Sequence, residues 1–192
     1  MNQRYYNSPK LGTEPFILTA QNDSVSLPFL TAVLNSGLAK LWIWYNCPEL
    51  QGGTREISKV YFEHFPVPRA NEEQTNTLAQ YATVRTQLTA DLQALCSKFT
   101  RNIQREYNLE KLSAKLENWF QMTFGDFLKE LQKNKVKLTL SQKSEWEDYF
   151  RQESEKALSI KHQINTTDKE IDLMVYALYG ISTERIEMVE DA

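Results

Sequence analysis

Apolar residues recur through most of this chain at spacings of three and four, the period of helices that turn one face inward. The longest such run is Leu78, Tyr81, Val84, Leu88, Leu92, Leu95, Phe99 and Ile103. Asn71, with Gln74 three residues later, precedes it as a capping-box pattern and predicts a helix from Glu72 to Arg105. At 1.5 Å per residue that helix spans roughly 50 Å, and a helix so long needs a partner. The partner lies further on, where Trp146, Phe150, Ala157, Ile160 and Ile164 follow a capping Ser141 at near-heptad spacing. The two predict an antiparallel helical hairpin, with connecting helices around Leu112 to Phe120 and at Phe124 to Leu131. Thr167 with Glu170 reads as a second capping box, opening a separate helix whose buried face is Ile171, Met174, Val175 and Leu178. Gly180 ends that helix and Ser182 begins a short last one.

The N-terminal third has a different pattern. Phe16 to Ala20 is a short apolar run suited to a buried strand. Ser26 then stands as an N-cap before Leu27 and Pro28, and Leu30, Val33, Leu34, Leu38, Leu41, Trp42 and Tyr45 follow at helical spacing. This predicts one amphipathic helix of about five turns, packed on the strand and ended by Asn46, Cys47 and Pro48. Val60 to Val67 alternates and then runs into Pro-Val-Pro, the pattern of an edge strand or extended exit. The predicted fold class is therefore α+β. Residues 1–70 are expected to form one unit, a small sheet with a packed helix, and residues 71–192 a mostly helical unit with a long antiparallel helical hairpin.

Composition narrows the class. With 192 residues, 41% of them hydrophobic, the chain can build a sizeable core. No apolar run approaches the roughly 20 residues needed to cross a bilayer, and Met1 to Lys10 is polar, so the expected location is the cytoplasm. Cys47 and Cys96 are far apart, and so are His64 and His162, which gives neither a disulfide framework nor a zinc spacing. The net charge of −3 hides an asymmetry: residues 98–143 carry ten Lys/Arg against five Asp/Glu, and residues 144–192 carry five against twelve. A basic middle thus precedes an acidic end, a pattern that helix pairing can neutralise.

Motifs for catalysis are missing. The sequence contains no Gly-rich cofactor loop after a strand, no Asn/Asp-Pro-Pro-aromatic string, no Walker loop, no Gly-x-Ser-x-Gly and no His-Glu-x-x-His. Carboxylates such as Glu145, Glu147 and Asp148 fall at helix-surface positions and read as a solvated face. The distinctive stretch is Asn46 to Pro68, centred on Gln51-Gly52-Gly53-Thr54-Arg55. Adjacent glycines permit positive φ and remove Cβ bulk, so that backbone N–H groups can converge on a phosphate. Arg55 can read guanine bidentately and Gln51 adenine, while Thr54 and Ser58 can donate to phosphates. By spacing alone the same stretch reads more readily as a flexible turn between helix and strand. Lys129 to Lys143 reads as a solvated surface complementing the acidic end rather than as a phosphate track. Trp42 is expected in the core and Trp44 at a rim.

Leu30 to Tyr45, the Gly-Gly-Thr-Arg-Glu-Ile-Ser step, the Phe-Glu-His-Phe-Pro-Val-Pro exit and the Asn-Glu-Glu-Gln helix start together resemble the TaqI-like C-terminal specificity domain. This is the target recognition domain of bacterial adenine-N6 methyltransferases and fused type IIG restriction-modification enzymes. More distantly, the chain resembles the target recognition domains of type I specificity subunits. The string from Thr167 to Ser182, followed by Glu184 to Glu190, resembles the closing helix pair of these proteins, so the resemblance covers about Phe16 to Glu190. It implies a fragment of a larger protein that binds double-stranded DNA and has no activity of its own. The methyltransferase domain of the same parent chain, with its S-adenosylmethionine, would then be the partner. Carried over by position, the resemblance implies DNA contact at Gln51, Gly52, Gly53, Thr54, Arg55, Ser58 and Lys59, with Asn35 and Ser36 structural. The competing expectation, from the residues alone, is a helical protein-interaction module with a coiled-coil hairpin and the glycine loop as a plain turn.

Overall fold

The computed structural model describes residues 26–50, 52–182 and 185–186, so the strand expected at Phe16 to Ala20 and the candidate contact residue Gln51 lie outside the described residues. In order the elements are α1 (Leu27–Asn35), α2 (Gly37–Asn46), β1 (Glu49–Leu50), β2 (Thr54–Arg55), α3 (Lys59–Phe62), α4 (Glu72–Tyr107), α5 (Ala114–Glu117), a 3-10 turn (Trp119–Gln121), α6 (Phe124–Lys133) and α7 (Leu140–Leu178). This corrects the α+β expectation. The fold is helical, and the one sheet among the described residues is a pair of two-residue strands, too short to present a face for packing.

The chain forms two compact units. One contains the residues up to Thr83 and those from Asp168 onward, and the other runs from Val84 to Thr167. The boundary falls inside both long helices, so each unit holds a stretch of α4 and a stretch of α7.

In the first unit Phe29, Ala32 and Val33 of α1 join Leu78 and Ala82 of α4 and Ile171 and Val175 of α7 in one core. The single five-turn helix expected from Leu27 to Tyr45 is instead two helices. Ser36 adopts an extended ψ of 159°, donates its hydroxyl to the Val33 carbonyl at 2.7 Å and accepts from the Ala39 N–H at 3.2 Å. It therefore stops α1 and caps α2. The Gly37 N–H, left without an intrahelical partner by the break, donates to Asp172 Oδ1 of α7 at 2.7 Å. A second correction concerns Val60 to Val67, which is not a strand. Lys59–Phe62 closes one helical turn, and Phe62 and Phe65, three apart rather than two, stack at 5.8 Å. Phe65 meets Trp42 edge-on at 5.1 Å, and the Tyr179 hydroxyl donates to the Pro66 carbonyl, so the proline-bounded exit is fastened by its aromatic neighbours.

In the second unit α4 and α7 run antiparallel, with Asn102 Nδ2 donating to the Tyr149 hydroxyl at 2.9 Å. Phe99 is enclosed between Trp119, stacked at 3.6 Å, and Tyr149, stacked at 5.4 Å, while Phe127, Trp146 and Phe150 close around it. Helix caps follow local sequence. Asn71 and Gln74 exchange the two hydrogen bonds of a capping box at 2.8 and 3.0 Å. Thr139 and Gln142 form the equivalent pair at the start of α7, in place of the expected Ser141, whose hydroxyl turns to Glu145. Thr167 does not open a new helix. Its hydroxyl donates back to the Gln163 carbonyl at 2.9 Å, and α7 continues unbroken to Leu178. There Gly180, at φ 66°, closes a Schellman turn with Ile181 N–H on the Tyr176 carbonyl and Gly180 N–H on that of Ala177.

Candidate nucleic-acid interface

Pro48 ends α2, and the chain reverses at once through β1 and β2, with Glu49 opposite Arg55 and Leu50 opposite Thr54. Gly52 and Gly53 lie at the tip. Gly52 and Gly53 take φ of 87° and 77°, where an L side chain is strained, and a Cβ on either would meet no atom within 4 Å. The two glycines are thus required by backbone conformation and not by crowding, which leaves the tip open to approach. Below it the Glu56 N–H donates to the Pro48 carbonyl at 2.9 Å and closes the base of the hairpin.

The predicted contact residues do not all share one situation. Thr54 and Lys59 are exposed, and Ser58, half-buried, precedes α3 without making a capping hydrogen bond. Arg55 is committed elsewhere. Its guanidinium lies 4.0 Å over the Trp44 ring, Nη1 is 3.5 Å from Glu49 Oε2, and only 16% of the side chain is exposed. Arg55 Nε is buried with no hydrogen-bond partner in the structure. The cation–π contact and the ion pair hold β2 against β1 and against the end of α2, which makes Arg55 a brace of the hairpin as the chain stands. The nearby Cys47 thiol is pushed up by burial, partly offset by the Arg55 charge, and so is poorly disposed to ionise.

Around the hairpin the surface is apolar as well as polar. Tyr45 is 75% and Val60 65% exposed, with Trp44, Ile57 and Tyr61 also open. Pattern reading alone singled out only Trp44 of this group. The signal for the others was their place: Tyr45 at the end of a helix and Val60 in a one-turn helix, positions with little chain around them to cover them. From Asn46 to Arg69 the three cations Arg55, Lys59 and Arg69 are matched by Glu49, Glu56 and Glu63, so no strong positive field surrounds the loop.

The lysine-rich segment is tied into the second unit at two of its positions. Lys129 pairs with Asp126 at 2.8 Å, and Lys133 reaches the buried Glu130 at 2.6 Å. The hydrogen bond from Lys133, helped by the Ser113 hydroxyl at 3.1 Å, holds the Glu130 carboxyl below the usual glutamate range despite burial. No group of three potential metal ligands occurs among the described residues, and no helix there is long and apolar enough to cross a membrane.

A family model described as a domain of unknown function (DUF8810) matches residues 71–175, which takes in α4, α5, α6 and all but the last turn of α7. No curated protein and no solved structure matches the chain.

Proposed function

The chain belongs to the DUF8810 family, and we propose that it is the DNA-recognising part of a site-specific adenine-N6 methyltransferase, with the hairpin outside the matched helical segment as the reader. The observation that carries this reading is the unpacked Gly52–Gly53 tip, with positive φ at both glycines and exposed Thr54 beside it. Such a tip can enter a groove without displacing side chains of its own fold, and its N–H groups are available to phosphate oxygens. Lys59 supplies a positive charge, and Ser58 a hydroxyl not used in capping. The resemblance to target recognition domains over Leu30 to Pro68 supports the same assignment.

Arg55 has a different role in this proposal from the one its residue type suggests. Bound to Trp44 and Glu49, it sets the angle of the hairpin, and base reading falls to Thr54, the tip backbone and Gln51. The chemistry would be supplied by a methyltransferase domain of the parent chain that binds S-adenosylmethionine. The exposed Trp44, Tyr45, Val60 and Tyr61 offer that domain an apolar surface. On this reading the protein works in the cytoplasm.

The test is selection of duplexes from a randomised pool by the parent protein, followed by anisotropy titration of the chosen sequence at several salt concentrations. Lys59→Ala should lower the dependence of log affinity on log salt by about one unit and leave the selected sequence unchanged. Thr54→Ala should relax the preference at one base pair, at about 1–3 kcal/mol. A pool that yields no enriched sequence, or a preference that both substitutions leave intact, rejects the hairpin as reader.

A further inference from the structure

The second unit has a surface that no part of this reading uses. Where α4 and α7 run side by side, Ala94 and Leu95 on one helix and Ile160 on the other floor an open groove. Leu95 and Ile160 are only half-buried there, whereas Phe99 and Ile103, one to two turns along α4, are fully enclosed. The paired helices therefore complete their core at one end and leave an apolar strip along the middle.

The rim of the groove carries a symmetry in its residues. On α4 Asp91 lies as far before the midpoint of Ala94 and Leu95 as Lys98 lies after it. On α7 Gln152 and Ser159 flank the midpoint of Glu155 and Lys156 in the same way. The antiparallel register that joins Asn102 to Tyr149 brings these two midpoints opposite one another to within one residue. A two-fold axis perpendicular to the helices can then lie in front of the groove, crossing over both midpoints. A second copy placed by that axis sets α4 antiparallel on α4 and α7 antiparallel on α7, with acid facing base in each.

We propose that this groove is a self-association surface, occupied by the same groove of a second copy of the chain in a four-helix arrangement. Asp91 of each copy faces Lys98 of the other, Glu155 faces Lys156, and the small side chain of Ala94 lets the backbones approach over Leu95. Within one chain Asp91 accepts a hydrogen bond from Gln87, while Lys156 is already paired with the buried Glu153 at 2.5 Å, so the match of Asp91 with Lys98 is the one that sets the register. The alternative axis, along the helices, would set Asp91 against Ser159 and Lys98 against Gln152 and leave both charges unmatched. Charge thus selects the perpendicular axis.

Sedimentation equilibrium of the full chain decides the matter. The wild type should show a reversible monomer–dimer equilibrium. Asp91→Lys alone, or Lys98→Asp alone, puts like charges at two symmetry-related places and should weaken the dimer about tenfold or more. The double variant D91K/K98D regenerates acid against base and should recover the wild-type equilibrium, with far-UV circular dichroism unchanged in all three because both side chains are exposed. A monomer at every concentration overturns the proposal. So does a dimer indifferent to the single swaps, or one that the double swap fails to restore.

Discussion

The two units draw on the same two helices and fill their cores with different side chains. The first packs the aliphatic Ala32, Val33, Leu78, Ala82, Ile171 and Val175 around Phe29 and also encloses Tyr176, while Trp44, Tyr45 and Tyr61 stay exposed. The second encloses Phe99, Trp119, Phe120, Phe127 and Phe150. Small residues let helices approach closely and leave large aromatic side chains available as surface, whereas an aromatic core consumes them. The unit with the mainly aliphatic core, which leaves Trp44, Tyr45 and Tyr61 exposed, is the one that also carries the hairpin. That division separates a part built for rigidity from a part built for contact.

Substitutions can break this contrast at either end. The largest effect is expected from Phe99→Ala, which removes the ring enclosed between Trp119 and Tyr149 and should destabilise the second unit by about 3–5 kcal/mol. Urea unfolding followed by near-ultraviolet circular dichroism measures it, and a loss under about 1 kcal/mol would mean that the aromatic cluster is not the stabilising centre. Ala32→Leu tests the small-residue core of the first unit. Ala32 is 1% exposed, and the added bulk should cost about 1–3 kcal/mol through overpacking. Equal stability after that change would show slack where close packing is claimed.

The smallest effect concerns acid. Because the Glu130 carboxyl is held below its usual range, first by Lys133 and then by Ser113, its contribution is present above the ordinary glutamate range and is lost as pH falls through the lowered value. The second unit should therefore weaken on acidification, and Glu130→Gln should flatten that acid limb in thermal melts recorded across pH. Superimposable wild-type and variant limbs would show that the Glu130–Lys133–Ser113 assembly contributes no pH dependence.

Local chemistry was readable in the sequence, and tertiary chemistry much less so. Asn71 and Gln74 announce the start of α4 because both hydrogen bonds lie within four residues. The long α4–α7 pairing was readable because its apolar period persists across many turns. Thr167 and Glu170 carry the same capping signature and mislead, since the apolar series from Ile164 to Ile171 continues in phase through them. The break at Ser36 leaves the apolar spacing undisturbed, and what compensates it, Asp172, is distant in sequence. At the candidate site the positive φ of Gly52 and Gly53 followed from residue type, but the capture of Arg55 did not. Nothing local to Arg55 states that Trp44 lies beneath its guanidinium.

The unpacked hairpin tip has a consequence for descent. The space beside Gly52 and Gly53 is empty, yet their positive φ strains any other residue, so a replacement there costs conformational energy within the tip and nothing in packing against the body of the protein. Variation at the tip is thus limited by the hairpin's own backbone, while the helical scaffold is untouched by it.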